Sequence, residues 1–350
     1  MRHNRKIKSF DYQTARHEFK NGLFFDANEN HRQWVKIDWR RLKNLHLYPD
    51  DEGQELKSKL AAYHGSLGLK TENIYLGSGG IEIIRLIIKT FRQPGRQLTT
   101  FNPSYAFYDI AAGREKVVIN KLNLRADFSI NLRELQKNIA QTNILFICSP
   151  NNPTGNLLID KTMLAEILNF YHGLLVVDEA YIDFAGEKKS LIKYIKQYDN
   201  LLVLRTFSKA WGLAGIRVGY AVGHEKIITA LNQQRNPYNL SRLSQAIAIQ
   251  ALEQKNGLKR NLKENKILKE ELLKELKKLG FSPQNTAANF IILKTNHADG
   301  LYRRLGHNGI VVRHLANDKK LPGIIRISVN SRANNRKLIA TLRQFNAAKA

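Results

Sequence analysis

The chain has 350 residues and a single cysteine, Cys148, so no intrachain disulfide can form and a disulfide-stapled secreted scaffold is excluded. Long apolar runs are also missing: none approaches the roughly 20 residues that a membrane-spanning helix requires. The basic opening stretch MRHNRKIKSF has no apolar core of the kind a signal peptide carries. A cytoplasmic location is the expectation. Acidic residues are scarce beside basic ones, 30 against 56, which leaves a net charge of +26. Such an excess favours polyanions and phosphorylated small molecules. Neither zinc-ligand spacing nor an RNP-type aromatic motif accompanies it, and no metal is expected.

What is present is globular. Apolar residues make up 43% of the chain, enough for a large core, and the length suits two lobes. The densest basic run, residues 255–278, places Leu258, Leu262, Ile267, Leu268, Leu272, Leu273 and Leu276 close to one face of a helix, with mixed charges between them. That pattern reads first as a solvated helix face and only second as a nucleic-acid surface.

From about residue 72 to 222, short apolar runs alternate with helical patterns. Strands are expected at 73–78, 97–101, 116–122, 144–148, 174–179, 201–206 and 216–222, and a helix at 80–91. This rhythm predicts an α/β fold whose mainly parallel sheet is buried between helices. Beyond a long helix ending near Gly280, strands at 289–294, 309–315 and 324–330 alternate with helices near 297–307 and 331–346. These form a smaller α+β domain in the expected organisation. The large domain covers 45–250; the N-terminal arm and small domain cover 1–44 and 251–350.

In open parallel sheets, ligands bind beyond the carboxyl ends of the strands, and the chemically suggestive residues fall there. Gly79 and Gly80 follow a strand and open a helix, where backbone N–H groups and the helix dipole suit a phosphate; a tight turn accounts for the same glycines. Asn152, in CSPNNPTGN (148–156), sits in a turn at a strand end, able to donate to a ligand or simply to shape the turn. Asp178 closes an apolar strand, so it requires a cation or hydrogen-bond donor, which a ring nitrogen, a salt bridge or a helix N-terminus would supply. Tyr181 can reach the same ligand. Lys209, just beyond strand LLVLRT, can form a Schiff base if its amine is kept partly neutral, and otherwise is one more solvated charge. Ser208 and Arg217 can hold a phosphate beside it.

Together these segments resemble the pyridoxal phosphate (PLP) enzymes of the aspartate aminotransferase fold type I, and within them the histidinol-phosphate aminotransferase family. FFDANEN (24–30), LYPD (47–50), NPSYAFY (102–108), CSPNNPTG, DEAYIDF, RTFSKAWGLAGIRVGY (205–220) and IIRISVNSR (324–332) follow in the family's order. The resemblance implies that Lys209 carries the cofactor and moves the substrate proton. It implies that Asp178 pairs with the ring nitrogen, Asn152 and Tyr181 with the ring oxygen, and that Tyr105 stacks on the ring. Gly79, Gly80, Ser208 and Arg217 would hold the cofactor phosphate. Tyr48 would reach the phosphate of a neighbouring copy, which implies a homodimer with shared sites. Arg313, Arg326 and Asn28 match substrate-binding positions, Arg326 also receiving the carboxylate of the amino donor. The implied reaction is transamination between L-histidinol phosphate and 2-oxoglutarate, in histidine biosynthesis.

Two departures stand out: Ile81 replaces an acidic residue of the family's phosphate loop, and His31 replaces a proline after the Asn-Glu-Asn segment. Within the fold, an aromatic or other amino-acid aminotransferase and a threonine-phosphate decarboxylase are the alternatives. Outside it stands a basic nucleic-acid-binding protein.

Overall fold

Strands that are apolar at every position need both faces covered, and the central sheet meets that need. The structure is a computed structural model describing residues 15–315 and 321–347. The basic start of the chain and the first fourteen residues of the expected N-terminal arm lie outside the described residues, as do 316–320 and 348–350 of the expected small domain. Among the described residues, eight strands precede the long helix: β1 (Leu23–Phe24), β2 (Ile74–Gly77), β3 (Gln97–Asn102), β4 (Val118–Asn123), β5 (Thr142–Cys148), β6 (Leu174–Asp178), β7 (Leu201–Thr206) and β8 (Gly219–Gly223). β2 to β8 form one seven-stranded sheet in the order β2-β8-β7-β6-β5-β3-β4. Only β8 runs antiparallel to its neighbours, β2 and β7.

Side chains alternate between the faces with period two. Leu175, Val177, Leu201 and Val203 enter one core, while Val176, Leu202, Leu204 and Phe146 enter the other. Asp178 has the parity of Val176, and Cys148, its register partner on β5, lies on the same face. The helices Gly79–Phe91 and Phe107–Arg114 cover that face. Asp178 is thereby aimed into a packed helical layer, where it must find donors.

The chain continues with β9 (Ser282–Gln284), β10 (Phe290–Lys294), β11 (Ile310–Val311), β12 (Arg313–His314) and β13 (Ile324–Ser328). These give an antiparallel sheet β12-β13-β10-β9 and a parallel pair β1-β11. A separate core joins Phe25, Leu272, Leu276, Ile291, Ile325 and Leu301. The N-terminal segment is bound into this part: β1 pairs with β11, and the Ser328 N–H donates to the Phe25 carbonyl at 2.9 Å.

Three expectations need correction. The strand expected at 216–222 begins only at Gly219, because Ala214–Ile216 form a 3₁₀ turn and Arg217 adopts a left-handed backbone at φ 53°. The strand expected at 309–315 is broken at Val312 into β11 and β12, which join different sheets. On the helix Lys255–Lys278, Ile267 is exposed, whereas Asn261, Asn265 and Lys269 are buried. Lys269 and Asn261 take buried positions there because nearby carbonyls accept their protons: Lys269 Nζ donates to Thr286 O at 2.6 Å and Ala288 O at 3.0 Å, and Asn261 Nδ2 to Ala210 O at 2.9 Å.

Candidate active site

Twelve of the thirteen residues singled out above lie in or against one cavity beyond the carboxyl ends of β5, β6 and β7. Gly80, Tyr105, Asn152, Asp178, Tyr181, Ser208, Lys209, Arg217, Arg313, Arg326 and Asn28 line it. Gly79 abuts it through Arg217: a Cβ on Gly79, whose φ is +77°, would meet Arg217 Nη2 at 2.4 Å. Tyr48 stands elsewhere, 77% exposed and stacked on Tyr238 with centroids 4.7 Å apart.

Lys209 is held by its backbone as well as its side chain. The Ser208 N–H donates to Thr206 Oγ1 at 3.0 Å, folding the chain back at the end of β7. Asn30 Nδ2 donates to Lys209 O at 3.3 Å, and Trp34 Nε1 and Asn261 Nδ2 both donate to Ala210 O at 2.9 Å. The amine donates to the Ala27 carbonyl at 2.8 Å. Burial lowers the Lys209 amine to about 8; Arg326 and Arg217 push the same way, against the weaker pull of Glu29 and Asp178.

Asp178 is buried, and burial raises its carboxyl above the usual range. Two donors oppose that shift: the Ala180 N–H at 3.1 Å from Oδ1 and the Tyr108 hydroxyl at 3.0 Å from Oδ2. Tyr181 receives Asn28 Nδ2 on its hydroxyl at 3.0 Å and Asn152 Nδ2 at 3.5 Å. The Asn28 amide also accepts from Ser328 Oγ at 3.2 Å, so Asn28 ties Tyr181 to β13. Arg217, turned back by its left-handed backbone, donates to Ser208 Oγ at 3.5 Å. Arg326 donates to the Asn152 side-chain oxygen and, at 2.6 Å, to the Asp26 carbonyl.

This donor set fits pyridoxal phosphate. An amine lowered by burial to about 8 suits Schiff-base chemistry, and a buried carboxylate suits a protonated ring nitrogen. Ser208, Arg217 and the first N–H groups of the helix Gly79–Phe91 make an anion cradle against which only a glycine fits.

Sequence reasoning did not single out Tyr108, although its i, i+3 spacing from Tyr105 at the start of a helix was a usable signal. It also passed over Arg205, which lies with Glu179 on the opposite face of the sheet. Arg205 is buried against Asp183 at 2.7 Å, Glu187 at 3.0 Å and Glu179 at 3.4 Å. A conspicuous charge next to an apolar strand is the sign that both Arg205 and Glu179 left in the sequence. The two departures have different consequences. Ile81 lines the cavity, while the His31 side chain turns to Glu264 (3.5 Å) and contributes nothing to its wall.

A doubly covered parallel sheet with a lysine, an acid and an anion cradle at its carboxyl edge is the architecture of a cofactor-dependent group-transfer enzyme. The chain belongs to the class I and II aminotransferase family, whose model matches residues 27–342. It is similar to the histidinol-phosphate aminotransferase of Caldanaerobacter subterraneus subsp. tengcongensis, with 36% identity over 97% of this chain and 96% of that one. The crystal structure of the histidinol-phosphate aminotransferase from Clostridium acetobutylicum superposes with a TM-score of 0.85 at 27% identity, covering 93% of this chain and 99% of that one. The Sinorhizobium meliloti enzyme of the same name, solved in complex with pyridoxal-5'-phosphate, shares the fold, with a TM-score of 0.86, 23% identity and coverage of 100% and 98%.

Proposed function

We propose that the protein exchanges an amino group between the pair L-histidinol phosphate/imidazole acetol phosphate and the pair glutamate/2-oxoglutarate, glutamate aminating imidazole acetol phosphate in the direction of histidine biosynthesis. The observation that carries this reading is a pair of arginines. Arg313 on β12 and Arg326 on β13 are register partners, and both line the cavity that contains Lys209. Two guanidinium groups on adjacent strands bring planar forks of N–H donors and positive charge to one wall, which suits an anion. A phosphate on one substrate and a carboxylate on the other can occupy the same pair, which accounts for two unlike substrates alternating in one pocket. Relatives bearing the histidinol-phosphate aminotransferase name support the choice.

The proposed cofactor is pyridoxal phosphate, which when bound supplies an electron sink for the carbanion at the substrate carbon. Lys209 attaches it and then carries the proton to and from that carbon. Asp178 faces the ring nitrogen, Asn152 and Tyr181 the ring oxygen, and Tyr105 the ring face. Gly79, Gly80, Ser208 and Arg217 bind the phosphate, with Tyr48 serving the site of a second copy. Asn28 keeps Tyr181 in place on the substrate side.

The working unit in this proposal is a homodimer. Trp39, Leu45, Leu47 and Tyr48 are exposed apolar side chains of one segment, and Tyr48 stacks on the exposed Tyr238; exposed apolar surface of this kind suits a partner. Residues 45–250 would act as the cofactor-binding domain, and 1–44 with 251–350 as the small domain that brings the arginines. A cytoplasmic setting agrees with one buried, unpaired thiol.

A donor–acceptor screen tests the substrate. Histidinol phosphate with 2-oxoglutarate is expected to exceed phenylalanine or tyrosine by at least tenfold in kcat/KM. Equal or better turnover of the aromatic donors would overturn the substrate assignment, and release of CO₂ from threonine phosphate without use of 2-oxoglutarate would overturn the reaction.

A further inference from the structure

The Tyr108 side chain is fully buried, on the face of the sheet to which Asp178 points. Its hydroxyl donates to Asp178 Oδ2 at 3.0 Å. Its ring packs against Phe146 with centroids 4.8 Å apart, and Tyr105 meets it edge-on at 5.6 Å and 83°. Among the described residues no cation lies within ion-pair distance of Asp178; two neutral donors, Tyr108 and the Ala180 N–H, together with the more distant charge of Lys209, oppose its burial, while the thiol of Cys148 faces it from the neighbouring strand. Each carboxylate oxygen thus receives one of these donors and keeps further lone pairs for another.

We propose that Tyr108 is a positioning residue for the cofactor: its hydroxyl holds the Asp178 carboxylate charged and oriented, while its ring sets the tilt of Tyr105. The contact to the ring nitrogen and the contact to the ring face are then set by one buried side chain. This rests on the cofactor reading above. The physical reason lies in where the proton of the ring nitrogen resides. A carboxylate in an apolar layer is basic, and without a strong donor it competes with the ring for that proton. A hydrogen bond from the phenol reduces this basicity and leaves the proton on the ring, the form that draws electrons from the substrate carbon. The i, i+3 placement of Tyr105 and Tyr108 lets one short segment deliver both contacts.

The test begins without cofactor. In protein carrying ¹³C-labelled aspartate carboxyls, the Asp178 resonance is assigned by its loss in Asp178→Asn and then titrated. Tyr108→Phe keeps the ring and deletes the donor. It is expected to tighten proton binding at Asp178 about tenfold, moving the titration up by about one pH unit. Incorporation of 3,5-difluorotyrosine at position 108, a stronger donor, moves it down and keeps the test open should the Phe variant fail to fold. Tyr171→Phe removes another buried hydroxyl, one that donates to Leu174 O, and leaves the titration in place.

With pyridoxal phosphate added, Tyr108→Phe is expected to weaken binding about tenfold, read by the visible absorption band, and to lower kcat with little change in KM. An Asp178 titration unmoved by both position-108 changes would reduce Tyr108 to packing and overturn the proposal. Failure of the unaltered protein to take up pyridoxal phosphate would instead overturn the reading of the cavity, whatever the titration shows.

Discussion

At pH 8 an ordinary lysine is neutral in under about one per cent of molecules, whereas Lys209, lowered to about 8, is neutral in roughly half. The sign follows from burial: the charged form is the one penalised, so the neutral amine gains as pH rises. The rate at which cofactor-free protein captures pyridoxal phosphate should therefore climb through a midpoint near pH 8 and level off above it. Stopped-flow absorbance checks this; a rate still rising steeply at pH 10 would mean an unperturbed lysine. Gly79 supplies a second expectation at this scale. Gly79→Ala puts a methyl group 2.4 Å from Arg217 Nη2 on a backbone at φ +77°, a conformation costly for any residue but glycine. Cofactor affinity should drop at least tenfold while Lys209 keeps its titration, which separates a damaged phosphate cradle from a damaged amine.

Among the elements, those legible in the sequence were the ones whose own residues dictate them. β5, β6 and β7 are apolar runs of strand length, and their carboxyl ends carry Cys148, Asp178 and Thr206, so the edge of the sheet could be located from pattern alone. What stayed hidden depends on partners remote in the chain. Lys269 and Asn261 read as solvent-facing because their acceptors, the carbonyls of Thr286, Ala288 and Ala210, are visible only after folding. The two-residue β1 and β11 have no periodicity to read. The charges of Arg205 and Glu179 were visible beside their apolar strands but their pairing was not, and the cluster carries an expectation of its own. One buried guanidinium joins β7 to carboxylates from the segment after β6, and burial raises Glu179 to about 7 despite it. Arg205→Met leaves Glu179 and Asp183 buried without their cation, a loss of about 3–5 kcal/mol. The deficit should be largest above pH 7 and shrink below it as Glu179 takes up its proton. Urea unfolding at several pH values measures this, and a pH-independent deficit would assign the loss to packing.

For the molecule as a whole, the exposed surface from Trp39 to Tyr48 predicts a dimer. Sedimentation should give twice the 40.1 kDa of one chain. Trp39→Glu combined with Leu47→Glu should yield monomers, and with them the loss of turnover, because in the proposed dimer Tyr48 serves the site of the second copy. Active monomers would contradict shared sites. The +26 charge has no assigned structural task beyond the arginines of the cavity. The account as a whole depends on one covalent link, and trapping that link is the most direct measurement. Protein loaded with pyridoxal phosphate and reduced with borohydride should carry a single phosphopyridoxyl mass, located by peptide sequencing at Lys209, and Lys209→Ala should carry none. Label on another lysine, spread over many of the chain's basic residues, or absent altogether would contradict it.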